Sequence, residues 1–167
     1  MVDVMQMEGG EFVSALPHWH FDKTETGWQR PAPGFGEHQD EIMAELQAWT
    51  PSAAPAPIAH TGDLAMSGLK VVDFSQGISG PLAGMQFGDL GADVIKVEPP
   101  EGDLLRVSGG SMGRDKSMGP IYMAANRNKR SLCLDLKKPA ACAVLKELVK
   151  SADLFVHNSR PQAIERL

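Results

Sequence analysis

The fold turns on Leu69 to Asp103, LKVVDFSQGISGPLAGMQFGDLGADVIKVEPPEGD, which reads as strand, glycine-rich turn, helix and second strand. Leu69 to Phe74 carries Val71, Val72 and Phe74, a short apolar run suited to a strand covered on both faces. Gly77 and Gly80 loosen the turn, and Pro81 suits a first helical position, where its missing N–H costs nothing. Leu82 to Leu90 then reads as helix, with Gly91 placed to end it in a left-handed cap. Ala92 to Glu98 rebuilds a strand that Pro99 and Pro100 terminate, since proline cannot continue the ladder. Two short strands joined by such a helix should be parallel, with a right-handed crossover.

Downstream, Leu104 to Pro120 is polar and glycine-rich and reads as a long loop, and Ile121 to Ala125 as a helical turn. Asn126 to Ser131 leads into an expected strand at Leu132 to Leu136. Lys137-Lys138-Pro139 opens a helix to about Lys150, with Val144, Leu145, Leu148 and Val149 as its buried side. Leu154 to Val156 is a further strand, and His157 to Pro161 a loop before a last helix. This order implies an α/β fold, an open parallel Rossmann-like sheet with flanking helices.

Upstream, Val2 to Met7 alternates and Glu11 to Leu16 can pair back on it as a hairpin. His18 and His20 flank Trp19 without a third ligand nearby, so no metal is expected. Arg30 to Gly36 is irregular, and Glu37 to Trp49 reads as a helix with Ile42, Leu46 and Trp49 on one side. The stretch 50–66, rich in Ala-Pro, is the clearest linker, separating 1–49 from 67–167.

Composition narrows the functions. The chain has 167 residues, 43% of them hydrophobic, and a formal charge of −5, so no global basic field favours nucleic acid. No apolar run approaches the roughly 18–20 residues of a membrane span, and no basic-then-apolar leader opens the sequence. Cys133 and Cys142 do not make a disulfide framework, so a reduced, cytoplasmic protein is expected.

Ligands of such sheets bind beyond the carboxyl ends of the strands, which points to Ser75 to Gly80, Pro99 to Asp103, Asn126 to Ser131 and His157 to Arg160. The basic run Arg127, Lys129, Arg130, followed by Lys137 and Lys138, is either a solvated face or a cradle for a phosphate-rich ligand. Gly77, Gly80 and Gly84 fit neither the dinucleotide nor the phosphate-loop pattern, although Glu98 stands about 20 residues beyond the turn, where a dinucleotide fold keeps its ribose-binding acid. Residue chemistry alone therefore leaves an anionic, nucleotide-like ligand, with a nicotinamide oxidoreductase as a weaker option.

The ordered segments Gly68 to Phe74, Gly80-Pro81, Gly88 to Pro100, Gly102-Asp103, Asn126 to Ser131, Leu134 to Lys137, Ala152-Asp153, Arg160-Pro161 and Glu165 to Leu167 resemble the N-terminal part of the class III (CaiB/BaiF) CoA-transferase family, over about 67–167. Formyl-CoA transferase and α-methylacyl-CoA racemase belong to that family. Arg30 to Pro33, Gly36 to His38 and Asp40-Glu41 resemble the family's closing R-P-A-P-x-x-G-E-H-T-D-E signature, with Gln39 in place of Thr. The order suggests the tail of one copy joined to the head of a second: a tandem-fusion junction, a truncated frame or a permuted module.

The resemblance implies transfer of CoA from an acyl-CoA to a carboxylate through an aspartate nucleophile. That aspartate aligns beyond Leu167, so no catalytic residue is assigned and the chain alone is expected to be inactive. His157 does not match the racemases' histidine. For coenzyme A the resemblance implies contacts from Ile78, Ser79, Leu134, Asp135, Leu136, Lys137, Asn158, Ser159, Arg160 and Arg166; Pro99 replaces an Arg that faces CoA in some members. It further implies an interlocked homodimer for the full-length protein, while charge, hydropathy and ligand spacing give the expectation of no nucleic acid, membrane or metal. The alternatives are a non-catalytic CoA- or nucleotide-binding assembly module and a racemase relative.

Overall fold

The computed structural model describes residues 2–7, 10–15, 23–24, 26, 28–50, 64–110 and 117–167. The His18/His20 pair and most of the Ala-Pro linker lie outside these residues. β1 (Val2–Met7) and β2 (Gly10–Ala15) pair antiparallel, the hairpin expected from the alternation. α1 spans Gln39–Ala48, after a turn in which the Gly34 N–H donates to Glu37 Oε2.

β3 (Lys70–Asp73), α2 (Ser79–Asp89) and β4 (Asp93–Glu98) reproduce the unit read from Leu69 to Asp103. β3 and β4 run parallel, with Val72 opposite Ile95. α2 begins earlier than Pro81, at Ser79, and Gly91 ends it at φ +98°. A short 3-10 turn, Leu104–Arg106, follows β4, capped by the Asp103 side chain. Then come α3 (Pro120–Asn126), β5 (Lys129–Cys133), α4 (Pro139–Lys150), β6 (Leu154–Val156) and α5 (Pro161–Ile164).

The sheet of β3 to β6 is four-stranded and parallel throughout, in the order β5-β4-β3-β6. β5 corrects the sequence reading. The strand runs from Lys129, not Leu132, so Lys129 and Arg130 are part of the ladder rather than of a loop before it. Asn128, at φ +60°, turns the chain into it, and acidic partners described below let charged residues occupy a buried strand.

The two faces of this sheet differ. Val72, Ile95, Val97 and Leu132 form one apolar core with Ile42 of α1 and Leu145 and Leu148 of α4, all under 5% exposed. The alternate residues Asp73, Lys96, Glu98, Lys129 and Ser131 face the other way and are equally buried, at 1% exposure or less. Val71 and Val94 extend that face into a small apolar cluster with Ala92 at its end.

Candidate functional site

The sheet order creates a switch point. β3, β4 and β5 are laid down in one direction and β6 is added on the far side of β3, so the loops after β3 and β6 diverge and leave a crevice at their carboxyl ends. The loop after β3 is Phe74 to Ile78; the loop after β6 is His157 to Arg160. One side chain ties them together. The Asn158 Oδ1 accepts from the Gln76 N–H at 3.1 Å, and its Nδ2 donates to the Gln76 carbonyl at 2.7 Å.

Ile78 and Ser79 follow Gln76 in the chain, and Ser159 and Arg160 follow Asn158, so this pair of hydrogen bonds joins the two stretches. Ile78 is 52% exposed, and no side chain caps the start of α2, which leaves its first N–H groups for a ligand. Phe74 stacks on Phe155 at 6.2 Å between ring centroids, and Phe155 on His157 at 5.5 Å, building an aromatic wall along the same strand ends. Gln76 lies in the strand-end segment Ser75 to Gly80 but is not among the implied CoA contacts; its role follows from the backbone it offers Asn158, which sequence does not display.

Leu134, Asp135, Leu136 and Lys137 lie elsewhere, beyond β5, two strands from β3 and so about 10 Å away across the sheet. Leu134 is buried in the core, its N–H donating to the Glu98 carbonyl. Asp135 accepts from the Lys137 N–H and starts a turn closed by the Lys138 N–H, while the Lys137 ammonium is exposed, 3.9 Å from Glu101. Arg160 and Arg166 are exposed, and among the described residues no carboxylate pairs with either.

Arg127, Lys129 and Arg130 of the basic run form neither a solvated face nor a phosphate cradle, whereas Lys137 and Lys138 are exposed. Arg127 holds Asp89 in a fork of 2.9 and 2.7 Å, Lys129 holds Asp73 at 2.7 Å, and Arg130 meets Asp93, Glu41 and Glu45 within 2.5 to 2.8 Å. All three cations are 4% exposed or less. Arg106 similarly forks onto Glu98 at 2.8 and 2.7 Å, and Lys96 reaches Asp103 at 3.0 Å. Glu98 thus serves Arg106, Ser131 Oγ and the Asp103 N–H, which removes it as a ribose ligand.

Electrostatics keep Asp73 and Glu98 ionised. Burial works to raise the Asp73 carboxyl, but the Lys129 and Lys96 ammoniums and the hydrogen bonds from Lys129 and Ser75 outweigh it, leaving it below its ordinary 3.8. Glu98 is likewise held below 4.5, burial being overcome by Arg106. Lys129 is shifted down to about 8, because its complete burial and the nearby Lys96 ammonium outweigh the Asp73 and Asp103 carboxylates. Burial beside Glu98 pushes the Tyr122 hydroxyl well above 10.0.

The glycine spacing now has a cause. Gly80, Gly84 and Gly88 recur every fourth residue and line the side of α2 that meets the sheet. A Cβ on Gly84 would sit 2.7 Å from Asp73 Oδ2, and one on Gly80 2.3 Å from Ser75 Cβ. The stripe brings α2 close to the ion pairs. Its period of four, legible in the sequence, marks close helix packing, not a nucleotide motif.

Among the described residues no group of histidine, cysteine and acidic side chains is placed to hold a metal, and no helix is long and apolar enough to cross a membrane.

A family model described as CoA-transferase family III matches residues 66–167. Similar curated proteins include the (R)-2-hydroxy-4-methylpentanoate CoA-transferase of Clostridioides difficile, 38% identical over 104 residues that cover 61% of this chain and 26% of that protein. The human succinyl-CoA:glutarate CoA-transferase is 40% identical over 97 residues, 58% of this chain and 22% of that one. Among solved structures, a CaiB/BaiF family protein from Brucella suis superposes with a TM-score of 0.59 at 34% identity, over 62% of this chain and 28% of that one. Rv3272 from M. tuberculosis gives 0.54 at 35% identity, over 62% and 29%. The chain spans about a quarter of the length of the curated relatives it matches.

Proposed function

Since this chain belongs to CoA-transferase family III, we propose that residues 66–167 form the CoA-binding opening of such an enzyme, and that the nucleophile of the transfer lies outside them. The observation that carries this reading is the switch point between β3 and β6, where Asn158 clamps the Gln76 peptide and so joins the loop of Ser159 and Arg160 to the turn of Ile78 and Ser79 that opens the uncapped α2. An anionic diphosphate suits that helix start and the Arg160 guanidinium. Lys137 and the turn at Asp135 stand about 10 Å along the sheet edge, within reach of an extended ligand such as CoA but not of a compact anion.

The aspartates support the second half of the proposal. Asp73, Asp89 and Asp103 are at most 1% exposed and held by Lys129, Arg127 and Lys96. Asp93 pairs with Arg130, Asp153 accepts from the Lys70 N–H, and Asp135 caps its turn. A carboxylate that must attack an acyl-CoA needs an open approach to the thioester carbon, which the buried three lack. On this reading acyl-CoA is the donor and a carboxylate the acceptor, and the full-length protein is an interlocked homodimer of a reducing cytoplasm.

Calorimetric titration of CoA into the full chain tests the binding half. Binding is expected, weakened at least about tenfold by Arg160→Glu, since a lost charge-assisted contact is worth roughly 1.5–3 kcal/mol. NAD binding more tightly than CoA would refute it. The second half fails if the chain alone transfers CoA from succinyl-CoA to a carboxylate acid.

A further inference from the structure

The turn between β3 and α2 is held by side chains rather than by the sheet. The Phe74 N–H still donates to the Val156 carbonyl at 2.8 Å, a bond between neighbouring strand ends. Beyond it, Ser75, Gln76 and Gly77 are each tied through the backbone to a polar side chain. Asp73 Oδ1 accepts from the Ser75 N–H at 3.0 Å and from the Ser75 hydroxyl, and the Lys96 ammonium donates to the Ser75 carbonyl at 2.9 Å. Asn158 takes the N–H and the carbonyl of Gln76, and the Gly77 N–H donates to Asp103 Oδ1 at 3.5 Å.

Asn158 is exposed, but Asp73, Ser75, Lys96 and Asp103 are at most 1% exposed, so these contacts lie on the buried side of the turn. The Lys96 ammonium bridges the Ser75 carbonyl to Asp103 Oδ2, at 3.0 Å from the latter. Asp103 also accepts from the Leu105 N–H at 3.0 Å, and its own N–H donates to Glu98 Oε1 at 3.0 Å. One ion pair thus joins the loop after β3 to the loop after β4. Stability alone does not account for such a pair, because two buried charges replaced together by neutral groups often leave a protein as stable as before. What the charges add is a fixed path for the backbone that leads into the uncapped start of α2.

We propose that Lys96 and Asp103 are positioning residues of the CoA site: too buried to touch the ligand, they set the path of the turn that presents the first N–H groups of α2. This rests on the reading that the start of α2 meets the CoA diphosphate. A turn ordered before the ligand arrives lowers the cost of binding, so the pair acts on affinity without a ligand contact of its own. It also makes the two loops one unit, in which a change that frees Ser75 from Lys96 loosens Gly77 as well.

The full chain carrying Lys96→Met with Asp103→Asn tests it, since both charges go and an oxygen stays at 103 for the Leu105 N–H. By calorimetric titration this variant should bind CoA at least about tenfold more weakly than wild type, with a urea midpoint close to the wild-type value. Leu148→Ala, in the apolar core, controls for a purely structural role: it lowers the urea midpoint further and should leave the CoA affinity of the folded chain unchanged. Equal CoA affinity in wild type and the double variant, or an equal loss in Leu148→Ala, overturns the proposal and leaves the CoA reading standing. A wild-type chain that binds no CoA refutes that reading instead, and hydrogen exchange then decides the positioning role without a ligand. In the free wild-type chain the Ser75 and Gly77 amides should exchange at least about a hundredfold more slowly than in an open chain, a measurement that needs no variant. In the double variant they should speed up at least about tenfold, with Val72 and Ile95 unchanged. Open-chain rates at Ser75 and Gly77 in the wild type, or no change there in the variant, would equally overturn the proposal.

Discussion

The two faces of the β3–β6 sheet are buried to the same extent by opposite means. On the face toward α1 and α4, Val72, Ile95, Val97 and Leu132 exclude water because they are apolar. On the face toward α2 and α3, Asp73, Lys96, Glu98 and Lys129 exclude it because each charge has a partner and further hydrogen bonds. The apolar face tolerates changes of shape and size in proportion to the volume lost. The ionic face is all-or-none: a pair removed whole costs little, and a pair broken in half leaves an uncompensated charge.

The sharpest way to break the comparison is to halve a pair. Lys129→Met strands the Asp73 carboxylate and should destabilise the chain by about 3–5 kcal/mol in urea unfolding. Adding Asp73→Leu to the same chain should restore much of that loss, whereas an additive double variant would contradict the all-or-none behaviour of this face. On the apolar face Leu132→Ala should cost about 2–5 kcal/mol and show no such rescue by any neighbouring substitution to a charge.

Next in size is Gly84→Ala. The new methyl meets Asp73 Oδ2 at 2.7 Å and Lys129 Nζ at 3.2 Å, so α2 must retreat, at a cost of about 1–3 kcal/mol. The same change at Ala83, on a half-buried position of the helix, gives a reference in the form of Ala83→Gly, expected to lose about 1 kcal/mol through propensity alone. Equal losses from both would show that α2 does not press on the ion pairs.

The smallest effect is in pH. Asp73 and Glu98 have folded values below 3.8 and 4.5, so the stability they contribute is complete above those values and is lost as pH falls below them. Lys129 has a folded value of about 8 against an ordinary 10.5. Between those two values the unfolded chain binds the proton the folded chain has released, so stability should rise with pH, by a slope that Lys129→Met abolishes. Urea midpoints at pH 3, 7 and 9.5 check both signs.

The sequence carried the elements of the fold well where periodicity and punctuation agreed. Gly91, Pro99 and Pro139 mark ends and starts that the structure keeps, and the hairpin of β1 and β2 follows its alternation. It misread β5, because Arg127, Lys129 and Arg130 look like surface chemistry until Asp89, Asp73 and Asp93 are brought against them. Those partners lie 37 to 56 residues away, a separation no local pattern reports. The alternation of charge at Asp73, Lys96, Glu98 and Lys129 with apolar residues was visible, but alternation ordinarily marks a wet face. Of the candidate site, the turn at Ile78 and the loop at Asn158 were legible as strand ends. Their adjacency depended on β6 joining β3 rather than β5, a fact of topology and not of either stretch.

The clamp between Asn158 and Gln76 joins positions 82 residues apart in the chain. A growing or refolding polypeptide can complete β3, α2 and β4 by local closure long before β6 exists to dock beside β3. Until it does, the turn ahead of α2 has no second wall and its peptide no partner. The crevice is thus assembled only after β6 has docked beside β3, a long-range closure, so its occupancy by a ligand would report that part of the topology as complete.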